Sequence, residues 1–115
     1  METDTYRDLL TNRRARVLTT LRHLDNEQNQ VERNTDWVDE AACDSRIALL
    51  DGLRHDYQME LSAIDRALER IAAGSYGTCM ACHDPIEPKR LELVPEAEFC
   101  HGCESFREGV EQYAA

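Results

Sequence analysis

Four of the five cysteines in this 115-residue sequence form two matched pairs near its C-terminal end. Each pair has two residues between its members, and seventeen residues separate the pairs within CMACHDPIEPKRLELVPEAEFCHGC. Two such C-x2-C knuckles supply four thiolates at a spacing suited to tetrahedral zinc. We therefore expect one zinc ion, with the ligands Cys79, Cys82, Cys100 and Cys103.

A zinc ion closed by four sulfurs keeps no position for water, so the expected site is structural and not catalytic. Its role would be to fold a segment that is too polar to form a core by itself. Oxidation of the thiolates with loss of metal is an alternative, which would make the site redox-sensitive. His83 and His101 lie next to the cysteines and could replace a ligand, but four cysteines already complete the shell. Cys43 lies on a hydrophobic seam and is expected to be a small core residue.

A second group of candidate residues lies in NTDWVDEAA, residues 34–42, where two aspartates flank the only tryptophan of the chain. Thr35 or Asp36 could cap a helix, and Asp39 would then offset the helix dipole in the first turn. Capping explains the aspartates and leaves Trp37 without a local role. Two interpretations stay open at this point: a helix start only, or a functional end of the molecule.

Regular helical patterns lie on both sides of this stretch, with apolar or long side chains at alternating steps of four and three. The first seam comprises Leu10, Arg14, Val17, Leu21, Leu24, Gln28 and Val31. The second comprises Cys43, Ile47, Leu50, Arg54, Tyr57, Leu61, Ile64, Leu68 and Ile71. Two helices of about 30 residues, each about 45 Å long, joined by a turn in NTDW, are predicted to form an antiparallel coiled-coil hairpin.

The segment after the second seam has a different character. Gly74 is the expected C-cap of the second helix, and the glycines and prolines of residues 74–99 indicate irregular structure. From Glu104 onward, ESFREGVEQYAA is expected to form a short helix with Phe106 and Val110 facing inward.

The predicted fold is all-α, with two parts. Residues 1–73 form the coiled-coil hairpin, with its acidic tip near residues 34–41. Residues 74–115 form a small four-cysteine zinc finger with a short C-terminal helix.

The charge distribution restricts the partners. Residues 1–33 carry six bases and six acids, whereas residues 34–115 carry seven bases and seventeen acids, and the chain has one lysine. Direct sequence-specific DNA binding is not expected, because it draws on clustered cations that neutralise phosphates. The N-terminal sequence lacks the pattern of a signal peptide, and no apolar run approaches the roughly 20 residues of a membrane span. We therefore expect a cytoplasmic protein. A monomer is also expected.

The sequence resembles the DksA/TraR family of bacterial transcription regulators. The resemblance rests on the four-cysteine finger, on YGTC leading into it, on PIEPKRLELVPEAEFC closing it, and on the preceding hairpin. In the DksA branch the tip motif is D-x-x-D-x-A, which Asp36, Asp39 and Ala41 fill here. Together these features cover nearly all of residues 4–110.

The resemblance implies a non-enzymatic regulator of the stringent-response type that binds RNA polymerase. The hairpin would enter the secondary channel of the polymerase, bring Asp36 and Asp39 near its catalytic centre, and change promoter-complex stability. Trp37, between the two acids, would serve as an aromatic contact residue, a type that dominates interface energies.

Some positions depart from the family pattern. Members that respond to the nucleotide ppGpp use basic residues at positions that read Ala63, Val94 and Glu104 here. Phosphate binding requires cations, so we expect ppGpp to contribute little. His83 stands where the first knuckle more usually has glycine, which predicts a strained turn.

Two other classes of function stay open. One is a zinc-stabilised helical adaptor for another protein, whose tip acids are only solvated residues at a helix start. The other is an enzyme that uses the paired carboxylates, which is disfavoured because a hairpin tip offers no pocket to exclude water or shift a pKa.

Overall fold

The computed structural model describes the backbone at residues 2–33 and 40–114. Side chains are described within these ranges except at positions 2, 33, 40, 41, 43 and 110–114. This part of the chain forms four helices, which are α1 (Glu2–Arg33), α2 (Glu40–Ala73), α3 (Pro88–Leu93) and α4 (His101–Ala114). Among the described residues there is no β-strand, only an isolated bridge between Thr78 and Pro85. The predicted all-α class is confirmed.

The two long helices follow from the heptad seams. Helix α1 has 32 residues and α2 has 34, close to the predicted lengths. Every seam position with a described side chain is buried or half-buried, including the polar seam residues Arg14, Gln28 and Arg54. None of the described helices is both long enough and apolar enough to span a membrane. The predicted turn in NTDW lies outside the described residues.

By their contacts, the residues form two compact units. Residues 12–62 are called the hairpin unit below, and residues 1–11 together with 63–115 are called the finger unit. Helices α1 and α2 each contribute to both units. The division into domains at residue 74 stays a prediction.

In the hairpin unit, apolar side chains between α1 and α2 are buried, and charged side chains pair across the helices. The buried apolar side chains are Val17, Leu24 and Leu50. The cross-helix pairs are Arg46 with Glu27, and Arg54 Nε with Asp25 Oδ1 at 3.3 Å. From Asp25 to Glu27 the chain runs forward along α1, whereas their partners run backward along α2, from Arg54 to Arg46. The two helices are therefore antiparallel. Each pair has at least one exposed side chain, Arg46 in the first and Asp25 in the second, so burial of the seam contributes more to stability than the pairs do.

The finger unit has a small core of its own, built around the first cysteine of the sequence motif. Its buried residues are Cys79, Ile86, Leu91 and Ala97. Half-buried side chains packed against them are Tyr6, Tyr76, Val94, Phe99, Cys100 and Cys103. Tyr6 belongs to α1, and its ring centroid lies 5.6 Å from that of Tyr76, so the start of the chain contributes to this core.

Helix α2 ends in the cap that the sequence predicted. Gly74 has φ +80°, its N–H donates to the carbonyl of Ile71 at 3.2 Å, and the N–H of Ser75 donates to that of Arg70 at 2.9 Å. This pair of bonds is the Schellman motif, which favours glycine because the left-handed conformation is strained for residues with a Cβ.

Three expectations for the C-terminal segment were wrong. Residues 74–99 are not irregular throughout, because α3 forms within them with Pro88 in its first turn, where its fixed φ suits a helix. Helix α4 begins at His101, three residues before Glu104, because its first turn carries part of the second knuckle. Phe106 does not face inward and is 75% exposed. The aromatic ring packed on the finger core is Phe99, which precedes α4. The side chain of Val110 lies outside the described residues.

Candidate metal centre

The fold brings the four predicted ligands together. The sulfur atoms of Cys79, Cys82, Cys100 and Cys103 all lie within 4.8 Å of one another, and the Sγ atoms of Cys82 and Cys100 are 3.8 Å apart. Tetrahedral zinc with Zn–S bonds of about 2.3 Å places its sulfurs roughly 3.8 Å apart. The distance between Cys82 and Cys100 equals this value, and every other pair of sulfurs lies no more than 1 Å beyond it.

The first knuckle is a tight hairpin of backbone hydrogen bonds. The N–H of Cys79 donates to the carbonyl of Asp84 at 2.8 Å, and the N–H of His83 donates to the carbonyl of Cys79 at 3.0 Å. A further bond of 2.8 Å from Ile86 N–H to the carbonyl of Gly77 closes its base. His83 has φ +65°, the left-handed conformation that a side chain disfavours, so the predicted strain is confirmed.

The second knuckle is built on the start of α4. Cys100 directly precedes the helix and Cys103 lies in its first turn, where Glu104 N–H donates to the carbonyl of Cys100 at 2.9 Å. A carboxylate oxygen of Glu87 accepts a 3.3 Å hydrogen bond from His101 N–H, one of the backbone donors that a helix start leaves unpaired. The pKa of Glu87 is lowered because its own backbone N–H and that of His101 both donate to the carboxylate.

The sulfurs differ in how readily they lose protons. Burial acts to raise the pKa of Cys79, but backbone N–H groups of Cys82, Cys100 and Ala81 donate to its sulfur and lower the pKa to about 6. Hydrogen bonds with Cys100, Cys79 and Cys82 raise the pKa of Cys103 to about 12. Four adjacent sulfurs cannot all ionise without a compensating cation. Bound zinc would supply that charge, and its binding would release the remaining protons.

Other residues that hold the knuckles could not be found from the heptad pattern. The hydroxyl of Tyr76 donates to the carbonyl of Pro95 at 2.9 Å, and Arg90 Nε donates to the carbonyl of Phe99 at 2.9 Å. Arg70 is the one buried charged residue among the described side chains, and it lies one position outside the predicted seam. A basic residue in the last turn of a helix usually offsets the dipole in solvent, so its sequence gave no signal of burial.

The tip cannot be placed in the same way. Asp36, Trp37 and Asp39 lie outside the described residues. Ala41 lies in α2, and its side chain is not described. Functional contact by these four residues therefore stays a prediction, and so does the core position of Cys43.

Two of the positions that depart from the family pattern lie close together in the finger unit. Val94 and Glu104 line one open cavity of about 210 Å³. Its charged lining consists of three arginines and three glutamates, which are Arg66, Arg90, Arg107, Glu96, Glu98 and Glu104. The cations are thus matched by anions within the cavity itself.

Two long antiparallel helices joined to a four-cysteine finger define a class of helical zinc-binding proteins. Residues 74–109 match the family described as the prokaryotic dksA/traR C4-type zinc finger. Residues 6–71 match the family described as the DnaK suppressor protein-like N-terminal domain. The chain therefore belongs to the DksA/TraR family, and the four-sulfur cluster is the site of one structural zinc ion.

Two curated proteins are similar in sequence to part of this chain. The chain is 37% identical over 78 residues to the RNA polymerase-binding transcription factor DksA of Caulobacter vibrioides, which is 68% of this chain and 53% of that protein. It is 33% identical over 88 residues to an uncharacterised protein of Aquifex aeolicus, which is 71% of this chain and 61% of that protein. The chain thus spans between 53% and 61% of the length of these relatives.

Solved structures support the same fold. Transcription factor DksA2 from Pseudomonas aeruginosa is 32% identical and superposes with a TM-score of 0.86, over 96% of this chain and 85% of that one. The solution structure of DnaK suppressor protein from Agrobacterium tumefaciens is 36% identical, with a TM-score of 0.53 over 89% and 90% of the two chains.

Proposed function

We propose that this protein binds RNA polymerase directly and regulates transcription. Its hairpin tip enters the secondary channel of the enzyme, and promoter-complex stability changes as a result. The observation that carries the proposal is the pair of family matches, which together cover residues 6–71 and 74–109, with a relative whose name describes polymerase binding.

The hairpin unit suits insertion into a narrow channel. An antiparallel coiled coil is thin, and its backbone hydrogen bonds are satisfied within each helix, so it can enter a pore without exposing unpaired polar backbone. Of the predicted tip, residues 34–39 lie outside the described residues, and residues 40–41 begin α2. The length of the two helices supports insertion of the hairpin.

The chemistry of the tip also fits the proposal. Asp36 and Asp39 are hard oxygen ligands, suited to a Mg²⁺ ion or to a basic loop beside one in the polymerase. Trp37 contributes a large apolar surface for contact, and Ala41 completes the motif. The protein itself performs no turnover in this mechanism, because the polymerase supplies the catalytic centre.

The residues that line the cavity of the finger unit support the proposal that the protein's effect on transcription depends little on ppGpp. Val94 has no charge and Glu104 is an acid, and both line the 210 Å³ cavity. Of the arginines there, Arg66 pairs with Glu98, and the guanidinium of Arg107 lies 5.0 Å over the ring of Phe99. A nucleotide with two diphosphate groups needs several cations that are free to contact phosphate oxygens. We therefore propose action largely independent of ppGpp.

Binding and regulation can be tested together. Purified zinc-loaded protein should compete with a labelled secondary-channel factor for core RNA polymerase, and it should change the lifetime of open promoter complexes. Competition that fails at protein concentrations up to about 100 μM would contradict polymerase binding. Binding without an effect on any promoter-complex lifetime would contradict regulation through the channel.

A further inference from the structure

A buried cation joins the end of α2 to the segment that leads into the second zinc knuckle. Arg70 is 8% exposed, and a buried guanidinium is costly unless acceptors surround it. Its Nη2 donates to the carbonyl of Ala97 at 3.3 Å and is 3.5 Å from that of Glu96. Its Nη1 lies 3.5 Å from a carboxylate oxygen of Glu98. One side chain of α2 thus contacts three successive residues just before Cys100.

Glu98 is the second part of this connection. The same carboxylate oxygen that faces Arg70 also accepts from Arg66 Nε, one helical turn earlier in α2. The Glu98 side chain is 22% exposed and that of Arg70 is 10% exposed, so solvent screens this pair less than a surface pair, whereas the Arg66 side chain is 52% exposed. Two arginines of one helix therefore hold a single carboxylate two residues before a zinc ligand.

The backbone of Glu98 reaches the first knuckle as well. Its carbonyl accepts a 2.9 Å hydrogen bond from the N–H of Met80, the residue after the ligand Cys79. Glu98 consequently contacts α2 through its side chain, the first knuckle through its carbonyl, and the second knuckle through the chain. None of these contacts is made by a cysteine sulfur.

We propose that Arg70 and Glu98 are positioning residues for the zinc site, and that they couple zinc affinity to the order of the last turns of α2. Bound zinc would hold Cys79 and Cys100, and these would in turn hold the carbonyls and the carboxylate that Arg70 contacts. Binding equilibria are reciprocal. If zinc binding stabilises this contact by a certain free energy, the contact strengthens zinc binding by the same free energy. The inference concerns the isolated chain and does not rest on polymerase binding.

The primary test variant is Glu98→Gln in the full chain. It is nearly isosteric, keeps the backbone bond to Met80, and removes the carboxylate that the arginines share. Titration with a chromogenic zinc chelator should give an affinity about tenfold or more below that of the wild type, as for other residues that orient metal ligands. The matched control is Glu92→Gln, an exposed acid on α3, which should bind zinc as the wild type does.

Hydrogen exchange separates positioning from a general loss of stability. In the wild type, removal of zinc should speed amide exchange over residues 66–73, and in Glu98→Gln this zinc dependence should shrink. Arg70→Lys keeps the charge but loses the forked contact with the carbonyls, so its zinc affinity should fall between those of the wild type and Glu98→Gln. The proposal is overturned if Glu98→Gln binds zinc within twofold of the wild type, or if its exchange responds to zinc as the wild type does. If Arg70→Lys binds zinc with the affinity of the wild type, Arg70 is not a positioning residue.

Discussion

The capping and contact interpretations make opposite predictions for substitutions of the tip aspartates, Asp36 and Asp39. Asparagine caps a helix about as well as aspartate, so Asp36→Asn should leave stability nearly unchanged, and Asp39→Asn should lose about 0.3–1 kcal/mol from the helix dipole. If their charge acts inside the polymerase, both variants should bind core enzyme and yet fail to change promoter-complex lifetime. Asp44→Asn, an exposed acid further along α2, is the matched control and should remain active.

Trp37→Ala separates binding from action at the same tip, because an aromatic contact residue contributes mainly to affinity. It should weaken competition binding by about 1–2 kcal/mol. If Asp36→Asn and Asp39→Asn are both fully active, the two aspartates act only at the start of a helix. An unchanged affinity in Trp37→Ala would remove the tryptophan from the interface.

The cysteines allow a clear distinction between ligand and spare thiol. Cys100→Ser removes one of four sulfurs and should abolish stoichiometric zinc in elemental analysis of protein purified without chelator. Residues 74–115 should lose their fold, because Cys79 is part of their small core and Cys100 packs against it, while α1 and α2 keep much of their circular dichroism. Cys43→Ser is the control and should retain one zinc per chain. Full zinc in Cys100→Ser would contradict the four-cysteine assignment.

Within the hairpin unit, the seam contains a polar residue whose replacement should stabilise the helices. Gln28 is half-buried, and its Oε1 atom is buried with no hydrogen-bond partner among the described residues. A buried acceptor left unpaired costs about 1–3 kcal/mol, and leucine at a heptad position adds apolar burial. Gln28→Leu should therefore raise the free energy of unfolding by about 1 kcal/mol or more in urea denaturation.

The matched control for that change is Gln30→Leu, two residues further along α1 on an exposed position. It adds the same apolar surface without burying it, so its effect should stay within about 0.5 kcal/mol. Equal effects of the two substitutions would contradict the view that Gln28 faces the partner helix.

The finger unit should lose stability at high pH through Tyr76. Burial, followed by the nearby Tyr6, raises the pKa of Tyr76 to about 12, above the value of about 10 for an unfolded chain. The folded phenol thus keeps its proton while the unfolded one ionises. This contribution is fully present below about pH 10 and is lost as the pH rises towards 12.

Tyr76→Phe checks this assignment. At pH 8 the variant should be less stable by about 0.5–1.5 kcal/mol, because it loses the hydrogen bond to the carbonyl of Pro95. The difference from the wild type should shrink between pH 9 and 11, since phenylalanine does not ionise. Denaturation at several pH values measures it, and a difference that stays constant with pH would contradict the role of Tyr76.

For the molecule as a whole, the balance of charge in the finger cavity leads to a prediction about regulation. Run-off transcription from a sensitive promoter should respond to this protein almost equally with and without ppGpp, given a polymerase that lacks other sites for the nucleotide. The reason is that Val94 and Glu104 add no cation to a cavity in which three glutamates already balance the charge of three arginines. Strong synergy with ppGpp would show that other residues, such as Lys89 or Arg90, bind it.

A sequence can specify features that depend on local spacing. The alternating steps of four and three predicted α1 and α2, because heptad periodicity acts along one helix at a time. Gly74 predicted the cap, since glycine favours the left-handed conformation there. The spacing of the cysteine pairs predicted the zinc ligands, because two residues between sulfurs suit a single metal ion.

Tertiary structure decided what spacing does not encode. At the early start of α4, the carboxylate of Glu87, fourteen residues earlier in the chain, accepts a hydrogen bond from His101 N–H. The exposure of Phe106 follows from which neighbours cover α4, and local periodicity carries no information on them. Arg70 lies where the sequence pattern predicts a surface residue, yet it is buried. Its guanidinium can be buried because carbonyls 26 and 27 residues further along the chain accept hydrogen bonds from it. Local periodicity and ligand spacing thus determined the helices and the metal site, whereas contacts distant in sequence determined what holds the metal site in place.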